Sequence, residues 1–322
     1  MMRVIKGAMH RLVARTLALA TSSFLLNPSD KEAEPCQEFE GLRVETEEGN
    51  QTMKYSNINL KTPFAFSFFL FSSLILSAYS QSESEDHEFN YDEASGRGPS
   101  RWGLLKPESK NCSIGRQQSP INIEAVQVRS ELGDLQRNYV SAPAVLRNNT
   151  EYAAVVWLGN AGSITINGTV YTVDNCHWHS PAEHTLNGIR YPLEIHIVHT
   201  SDQNQTAVVA ILYRYGSPDP FIDRLFGSLK TLKTKDRPLG PVNPESIKFP
   251  GRNYYRYKGS LTTPSCSEGV VWKVFQQVKT VSHSQVDALK HVLPPQNRNN
   301  ARPTQPLNGR PVLLYDPPTS GN

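Results

Sequence analysis

The stretch Asn175–Thr200 reads NCHWHSPAEHTLNGIRYPLEIHIVHT and contains five of the nine histidines of this 322-residue chain. They are His177, His179, His184, His196 and His199. Alternating apolar and small polar residues (SITINGTVYTV) precede the first two, which predicts a β-strand. Successive strand side chains point to opposite faces, so His177 and His179 project from the same face, about 7 Å apart. Such a pair can bind one metal ion.

A second alternating run, residues 193–199, places His196 on one face with Glu194 and Val198. The connection before it contains Pro and Gly, so the two strands can pair and bring His196 to the first two histidines. Three imidazoles with a fourth position left to water form a catalytic zinc site, whereas a structural site uses four protein ligands. Glu194 can accept the remaining ring N–H of His196, as carboxylates commonly do beside metal-bound imidazoles.

Each of these histidines also has an interpretation without a metal. A single strand histidine is more often a surface or core residue than a ligand, and an H-x-H pair alone leaves the two interpretations balanced. A third strand histidine, with a glutamate two residues before it, makes the pattern much more specific. We interpret His184, in the turn after Glu183, and His199, on the opposite strand face, as structural.

The chain has no folding pattern before residue 53. Residues 1–52 are an extension whose basic first half is transit-like, and an upstream start codon is the alternative explanation. Residues 53–80 have the features of a secretory signal peptide: two lysines, an apolar core (PFAFSFFLFSSLIL) and a small-x-small cleavage motif. The core is shorter than the about 20 residues of a membrane span, so we expect no stable span after cleavage; a signal-anchor is the competing interpretation. Residues 81–88 are a polar linker.

One β-rich domain is expected from residue 89 to residue 318, with a short tail at 319–322. Two helices, 219–229 and 282–293, begin with the capping residues Asp219 and Ser282. The net charge of +3 and the lack of a basic stripe argue against nucleic acid as a partner. The predicted strands are 144–147, 152–158, 163–173, 175–179, 193–199, 206–214, 255–258 and 270–278.

Cysteines and glycosylation sequons indicate an oxidising compartment. Cys112 and Cys266 lie in turn-like contexts and are expected to form a disulfide. Cys176 lies in a buried strand and is expected to stay free, and Cys36 belongs to the extension. The sequons of the predicted domain are at Asn111, Asn148, Asn167 and Asn204. These features predict a secreted glycoprotein.

Three further motifs accompany the histidines: QSPINI at 118–123, GSLTTP at 259–264 and NARPTQPL at 300–307. With the H-x-H…E-x-H set, they closely resemble the α-class carbonic anhydrases, and most closely the secreted plant-type members. The resemblance covers nearly all of residues 89–318. It implies a predominantly β domain with a few surface helices, built on a large, twisted, mainly antiparallel central sheet. It also implies reversible hydration of CO2 to bicarbonate and a proton through a zinc-bound hydroxide.

The resemblance assigns a role to each motif residue. Glu194 and Asn175 stand where relatives orient ligand imidazoles, although many relatives have Gln in place of Asn175. Thr262 corresponds to a gatekeeper whose hydroxyl donates to Glu183 and accepts from the hydroxide. The implied zinc ligands are His177, His179 and His196, and the implied CO2 pocket consists of Val198, Val208, Leu261, Thr263 and Trp272.

Glu151 is the main departure from the family pattern, because the fastest relatives have a proton-shuttle histidine at this position. A carboxyl group with a pKa near 4.3 is poorly matched to proton transfer at pH 7, so we expect a slower enzyme. Ser265, where relatives often have a second Pro, is a smaller departure.

A second function also fits the resemblance: a catalytically weak or silent carbonic anhydrase-like storage or binding protein. The missing shuttle allows it, whereas the complete ligand set argues against it. A zinc peptidase is disfavoured because the sequence has no H-E-x-x-H motif. We expect an extracellular or apoplastic location, with the chloroplast, reached through the secretory pathway, as the alternative. The sequence leaves the oligomeric state open.

Overall fold

A thirteen-stranded sheet dominates the part of the chain that the structure describes, residues 89–233 and 235–317. The structure is a computed structural model. The predicted extension, signal peptide and linker (1–88) and the predicted tail (319–322) lie outside these residues, as does residue 318. The described residues all belong to one compact unit, Gln81–Asn322.

The described part of the chain contains sixteen strands. In chain order they are β1 (Asn122–Ile123), β2 (Gln127–Val128), β3 (Gln136–Tyr139), β4 (Ala142–Asn148), β5 (Ala153–Trp157), β6 (Gly162–Ile166), β7 (Thr169–His179), β8 (Thr185–Leu186), β9 (Ile189–Arg190), β10 (Leu193–Thr200), β11 (Thr206–Tyr215), β12 (Arg237–Val242), β13 (Tyr254–Ser260), β14 (Glu268–Phe275), β15 (Lys279–Val281) and β16 (Leu313–Tyr315).

The large sheet has the order β12-β4-β5-β7-β10-β11-β14-β13-β16-β2; β6 also pairs with β7, β3 pairs with β6, and β15 pairs with β11. Its antiparallel pairs outnumber the parallel ones, which are β11 with β14, β11 with β15, and β16 with β2. A separate small sheet contains β1, β8 and β9. The predicted mainly antiparallel sheet is therefore confirmed.

The region around residues 163–179 differs from the prediction of two strands, 163–173 and 175–179. A turn at Asn167 and Gly168, both with positive φ, divides it into the hairpin β6–β7, and β7 then runs unbroken to His179. Opposite β10 the register shifts, so that Val173 and Asn175 have partners and Asp174 does not. Such a bulge reverses the face on which the following side chains lie. As a result, the histidines of β7 lie on the face opposite to Tyr171 and Val173, which precede the bulge and belong to the larger apolar cluster.

Helices cover little of the described chain. Two were predicted: α3 (Pro220–Thr231), where the Asp219 side chain accepts from two backbone N–H groups, and α4 (His283–His291), where Ser282 and Gln285 form a capping box. The prediction missed the one-turn helices α1 (Trp102–Leu105) and α2 (Asn111–Ile114). It also extended one strand too far, because β14 ends at Phe275 and β15 follows separately. No helix within the described residues is long and apolar enough to cross a membrane.

Two apolar clusters lie on opposite faces of the central strands. Trp178, Ile195 and Ile197 belong to the larger cluster, with the buried sides of α3 and α4. Alternate residues of the same sheet, including Val208 and Trp272, belong to the second cluster. His177, His179 and His196 share the face of the second cluster, whereas His199 lies on the other face of β10, so a polar site adjoins an apolar surface.

Candidate metal centre

Three imidazoles meet on neighbouring strands. β7 and β10 are antiparallel neighbours, and His196 lies directly opposite His177. The ring centroids are 5.1 Å apart for His177 and His179, 5.4 Å for His177 and His196, and 4.6 Å for His179 and His196. One nitrogen from each ring lies within 4.8 Å of the others, so the three could hold one metal ion.

The opposite nitrogen of each ring is occupied by a hydrogen-bond acceptor. His177 Nδ1 lies 2.9 Å from Asn175 Oδ1, and His179 Nδ1 lies 2.6 Å from the carbonyl oxygen of Asn300. His196 Nε2 lies 2.8 Å from Glu194 Oε1. Because these oxygens accept, each of these ring nitrogens carries the proton, and the lone pairs of the other nitrogens face one another.

Burial favours the neutral form of all three rings. It holds the pKa of His177 well below its usual range, lowers the pKa of His179 to about 4, and lowers the pKa of His196. Among the described residues, buried His179 Nε2 has no hydrogen-bond partner. A buried, unprotonated nitrogen without a partner is unfavourable unless a cation binds it. The donor set therefore fits a divalent metal such as zinc, which takes neutral imidazole ligands.

His184, Glu194 and His196 also lie close together, but hydrogen bonds between them explain this second cluster. Glu194 Oε1 lies 2.6 Å from His184 Nδ1 and 2.8 Å from His196 Nε2, while Oε2 accepts from the backbone N–H groups of Glu183 and His184. Burial raises the pKa of Glu194, but the two histidines outweigh burial and the net pKa is well below the usual range. His184 also bonds the Tyr257 hydroxyl at 2.7 Å, so its structural interpretation agrees with its contacts.

Glu183 lies buried beside the histidines. Its Oε1 accepts from the backbone N–H of Arg302 at 2.9 Å and lies 3.6 Å from His179 Nδ1, and its Oε2 lies 3.9 Å from His196 Nδ1. Burial raises its pKa to about 7, while His196, the Thr262 side chain and the Arg302 N–H act in the other direction. The Thr262 interaction is loose, since no hydrogen bond of good geometry reaches Oε2 from the described residues.

The loop that carries Thr262 is fixed by its two ends. Ser260 and Ser119 exchange backbone-to-hydroxyl hydrogen bonds of 2.9 and 3.0 Å, and Trp272 Nε1 donates to the Ser260 carbonyl at 3.0 Å. On the other side of the loop, the Leu261 N–H donates to the Ser267 carbonyl at 3.0 Å. These contacts place buried Thr262 at the edge of the site.

A disulfide and a buried arginine brace the same loop. Cys112 and Cys266 are bonded, as predicted, and Cys176 is free and buried. Arg302, which is 1% exposed, donates to the carbonyls of Ser119 and Cys112 at 2.8 and 3.0 Å. The bridge and the guanidinium thus connect the first motif, the Thr262 loop and the backbone that holds Glu183.

An apolar surface adjoins the histidines, as the proposed pocket residues imply. Val208 and Trp272 are buried in the second cluster, and Val198 and Leu261 pack against it. The Trp272 ring lies 4.8 Å from the His196 ring. Half-buried Thr263 follows in the loop, and its carbonyl accepts from the Cys266 N–H.

The remaining predicted site residues are half-buried or exposed. Half-buried Glu151 is joined through its carbonyl to Asn300 Nδ2 at 2.9 Å. The sequon residues Asn111, Asn167 and Asn204 are exposed, whereas Asn148 is half-buried and its Nδ2 donates to the Val292 carbonyl at 2.6 Å.

Sequence reasoning did not predict that four further residues contact the site. Asn300 and Arg302 were visible only as members of a motif, Tyr257 carried no signal, and Tyr152 was considered only as a proton relay in place of Glu151. The Tyr152 ring stacks on the His177 ring, with centroids 4.2 Å apart and an angle of 24°. These contacts depend on chain segments far apart in sequence, or on how one ring tilts, and local patterns do not show either.

Known proteins share the sequence pattern and the fold of this chain. The sequence profile of a family described as eukaryotic-type carbonic anhydrase matches residues 97–316. The chain belongs to this family. As an α-carbonic anhydrase, it is 41% identical over 263 residues to alpha carbonic anhydrase 4 of Arabidopsis thaliana, covering 80% of this chain and 98% of that protein.

Two further relatives have a different name. Dioscorin dioA3 of Dioscorea japonica is 41% identical over 252 residues, covering 77% of this chain and 93% of that protein. The crystal structure of dioscorin complexed with ascorbate has 41% identity and a TM-score of 0.70, covering 72% of this chain and 99% of that one. The predicted family and fold class are therefore confirmed, and relatives of this α-carbonic anhydrase include proteins that are not named as carbonic anhydrases.

Proposed function

We propose that this α-carbonic anhydrase is an active zinc enzyme that catalyses the reversible hydration of CO2 to bicarbonate and a proton. One observation supports this proposal most. In each of His177, His179 and His196, one ring nitrogen is hydrogen-bonded to an acceptor, and the other, inner nitrogens converge to within 4.8 Å of one another. When bound there, zinc would supply the Lewis acid that makes water nucleophilic at neutral pH.

Thr262 and Glu183 would orient the attacking oxygen. An ionised Glu183 has no proton to donate, so the Thr262 hydroxyl would donate its proton to the Glu183 carboxylate. The Thr262 oxygen would then accept a hydrogen bond from the attacking oxygen. Burial raises the pKa of Glu183 to about 7, and a divalent cation beside it would favour the carboxylate. Thr262 would thereby restrict the direction in which the nucleophile approaches carbon.

The apolar side chains would receive CO2. Val198, Val208, Leu261 and Trp272 lie on the histidine side of the sheet and offer few polar groups to water. A linear molecule without a net dipole loses little hydration there, and Thr262 N–H can stabilise charge that develops on a substrate oxygen. Bicarbonate, being charged, is favoured in water and leaves.

The dioscorin relationship supports a second candidate, a binding or storage protein without turnover. The convergence of the three imidazoles, with Glu183 beside them, supports the enzyme. Metal analysis and a CO2-hydration assay on the purified protein and on His179→Ala test the proposal. We expect one zinc per wild-type chain and neither zinc nor activity in the variant; a wild-type protein that holds zinc but has no activity would favour the second candidate.

We further propose that the protein enters the secretory pathway and matures near Gln81, with the apoplast as destination and the chloroplast as the alternative. The Cys112–Cys266 disulfide supports an oxidising compartment, and the signal-like segment 53–80 supports entry into it. Mass spectrometry of the natural protein tests this; peptides from residues 1–52 in the mature product would contradict it.

A further inference from the structure

The three candidate ligands are not held equally firmly. His179 is fully buried and bonded to a main-chain carbonyl, and His196, 1% exposed, is bonded to a carboxylate. His177 is 9% exposed, and the acceptor on its Nδ1 is the neutral amide of half-buried Asn175. A neutral side-chain acceptor forms a weaker bond than a carboxylate. A single bond at one ring atom also leaves the imidazole free to tilt about that atom.

Tyr152 supplies a stacked contact to the His177 ring. Ala154 on β5 is directly opposite His177 on β7, and its methyl group is too small to cover an imidazole. Tyr152 precedes it by two residues and lies almost parallel over the ring, with centroids 4.2 Å apart at 24°. Its centroid is 6.2 Å from that of His179, at 52°. The stacked contact is thus specific to the most exposed of the three histidines.

We propose that Tyr152 is a positioning residue for His177. Its flat ring prevents the imidazole from tilting and covers one face, while Asn175 fixes the ring edge. The inner nitrogen therefore stays aimed at the metal position, and water reaches it from fewer directions. This inference rests on the proposed zinc function. It concerns how tightly this chain holds the metal, not the hydration of CO2.

The test compares zinc affinity and release in variants of the full-length chain. Tyr152→Ala removes the ring, Tyr152→Phe keeps it without the hydroxyl, and Tyr152→Leu fills the space without a flat face. Tyr215→Ala is the matched control, because Tyr215 stacks on His283, which is not among the three histidines, with centroids 3.6 Å apart at 15°. Competition with a chelator gives the zinc dissociation constant, and dilution into excess chelator gives the release rate.

We expect the Ala and Leu variants to bind zinc about 2- to 12-fold more weakly than wild type, the range of one aromatic contact. The Phe variant and the Tyr215 control should match wild type. In cobalt-substituted protein, the Ala variant should show a changed visible spectrum, since the geometry of one ligand relaxes, and the Phe variant should not.

Each other outcome overturns the inference in an identifiable way. Wild-type protein without stoichiometric zinc would refute the proposed function and this inference together. Wild-type zinc with unchanged affinity in the Ala and Leu variants would refute the role of Tyr152 alone. A Phe variant that binds zinc as weakly as the Ala variant would show that the Tyr152 hydroxyl, not the stacked ring, acts on the site.

Discussion

Replacing Lys273 with Met should remove a pH dependence of stability that the wild-type protein has between pH 6 and pH 9. Lys273 lies on β14, is 3% exposed, and follows the alternation that puts Val271 and Phe275 on the same face. Its Nζ donates to the Tyr254 hydroxyl at 2.9 Å and lies 4.1 Å from the centroid of that ring. Burial lowers the pKa of Lys273 to about 7, and Arg256 on the adjacent strand acts in the same direction.

The size of the effect follows from the two pKa values. An unfolded lysine has a pKa of about 10.4, so between pH 7 and pH 10.4 the unfolded chain binds more protons at Lys273 than the folded one. The free energy of unfolding therefore rises with pH in this window, with a slope of up to about 1.4 kcal/mol per pH unit. Integrated from pH 6 to pH 9, the contribution of Lys273 is about 2–3 kcal/mol. Met has a similar length and no charge, so the variant lacks this contribution.

Urea denaturation of wild type and Lys273→Met at four pH values between 6 and 9 measures this contribution of Lys273 to the free energy of unfolding. The stability difference between the two proteins should change by about 2–3 kcal/mol across the range, because groups common to both cancel. Lys258→Met, at an exposed position of the neighbouring β13, is the control and should leave the pH profile unchanged. Parallel profiles for wild type and Lys273→Met would refute the reasoning, since they would mean that Lys273 keeps its proton in the folded state.

Three further predictions concern proton transfer, the disulfide and glycosylation. Glu151→His should raise turnover in weak buffer, by up to about 100-fold, and leave kcat/KM unchanged, because a side chain with a pKa near 7 relays the released proton. Stopped-flow assays at increasing imidazole concentration check this; a wild-type turnover that ignores imidazole would contradict it. Reducing the disulfide, which joins residues 154 positions apart, should lower the free energy of unfolding by about 4–5 kcal/mol, measured by urea denaturation with and without reductant. A urea midpoint that is the same with and without reductant would contradict this expected loss of stability. Exposed Asn167 and Asn204 should carry glycans, whereas Asn148 should not, because a glycan there would displace its bond to the Val292 carbonyl. Peptide mapping decides this, and a fully occupied Asn148 would show that the bond is dispensable.

The sequence predicted the strand faces well because alternation is a local property. The runs that became β7 and β10 placed His177, His179, Glu194 and His196 on one face without any knowledge of the fold. The helix starts were equally local, since a cap and its first turn are contiguous in sequence. Strand ends were less certain, and the bulge at Asp174 was invisible because it depends on the register with β10.

The support around the site could not be read in the same way. Asn300 holds His179 across 121 residues, and Arg302 reaches Cys112 across 190. No local pattern encodes such pairs, so they appeared only as an unexplained motif. Lys273 shows the opposite difficulty: a lysine in an apolar strand is usually exposed, and its burial depends on how its neighbours pack.

The contacts of Asn300 also imply an order of events during synthesis. This residue bonds His179, the Ser180 N–H and the Trp178 carbonyl, yet the ribosome adds it 121 residues after His179. At about 5–20 residues per second, His179 is synthesised about 6–24 s before Asn300. During that interval His179 can turn away from the other two rings. A nascent chain should therefore capture zinc poorly, and metal loading should follow the arrival of the segment around Asn300.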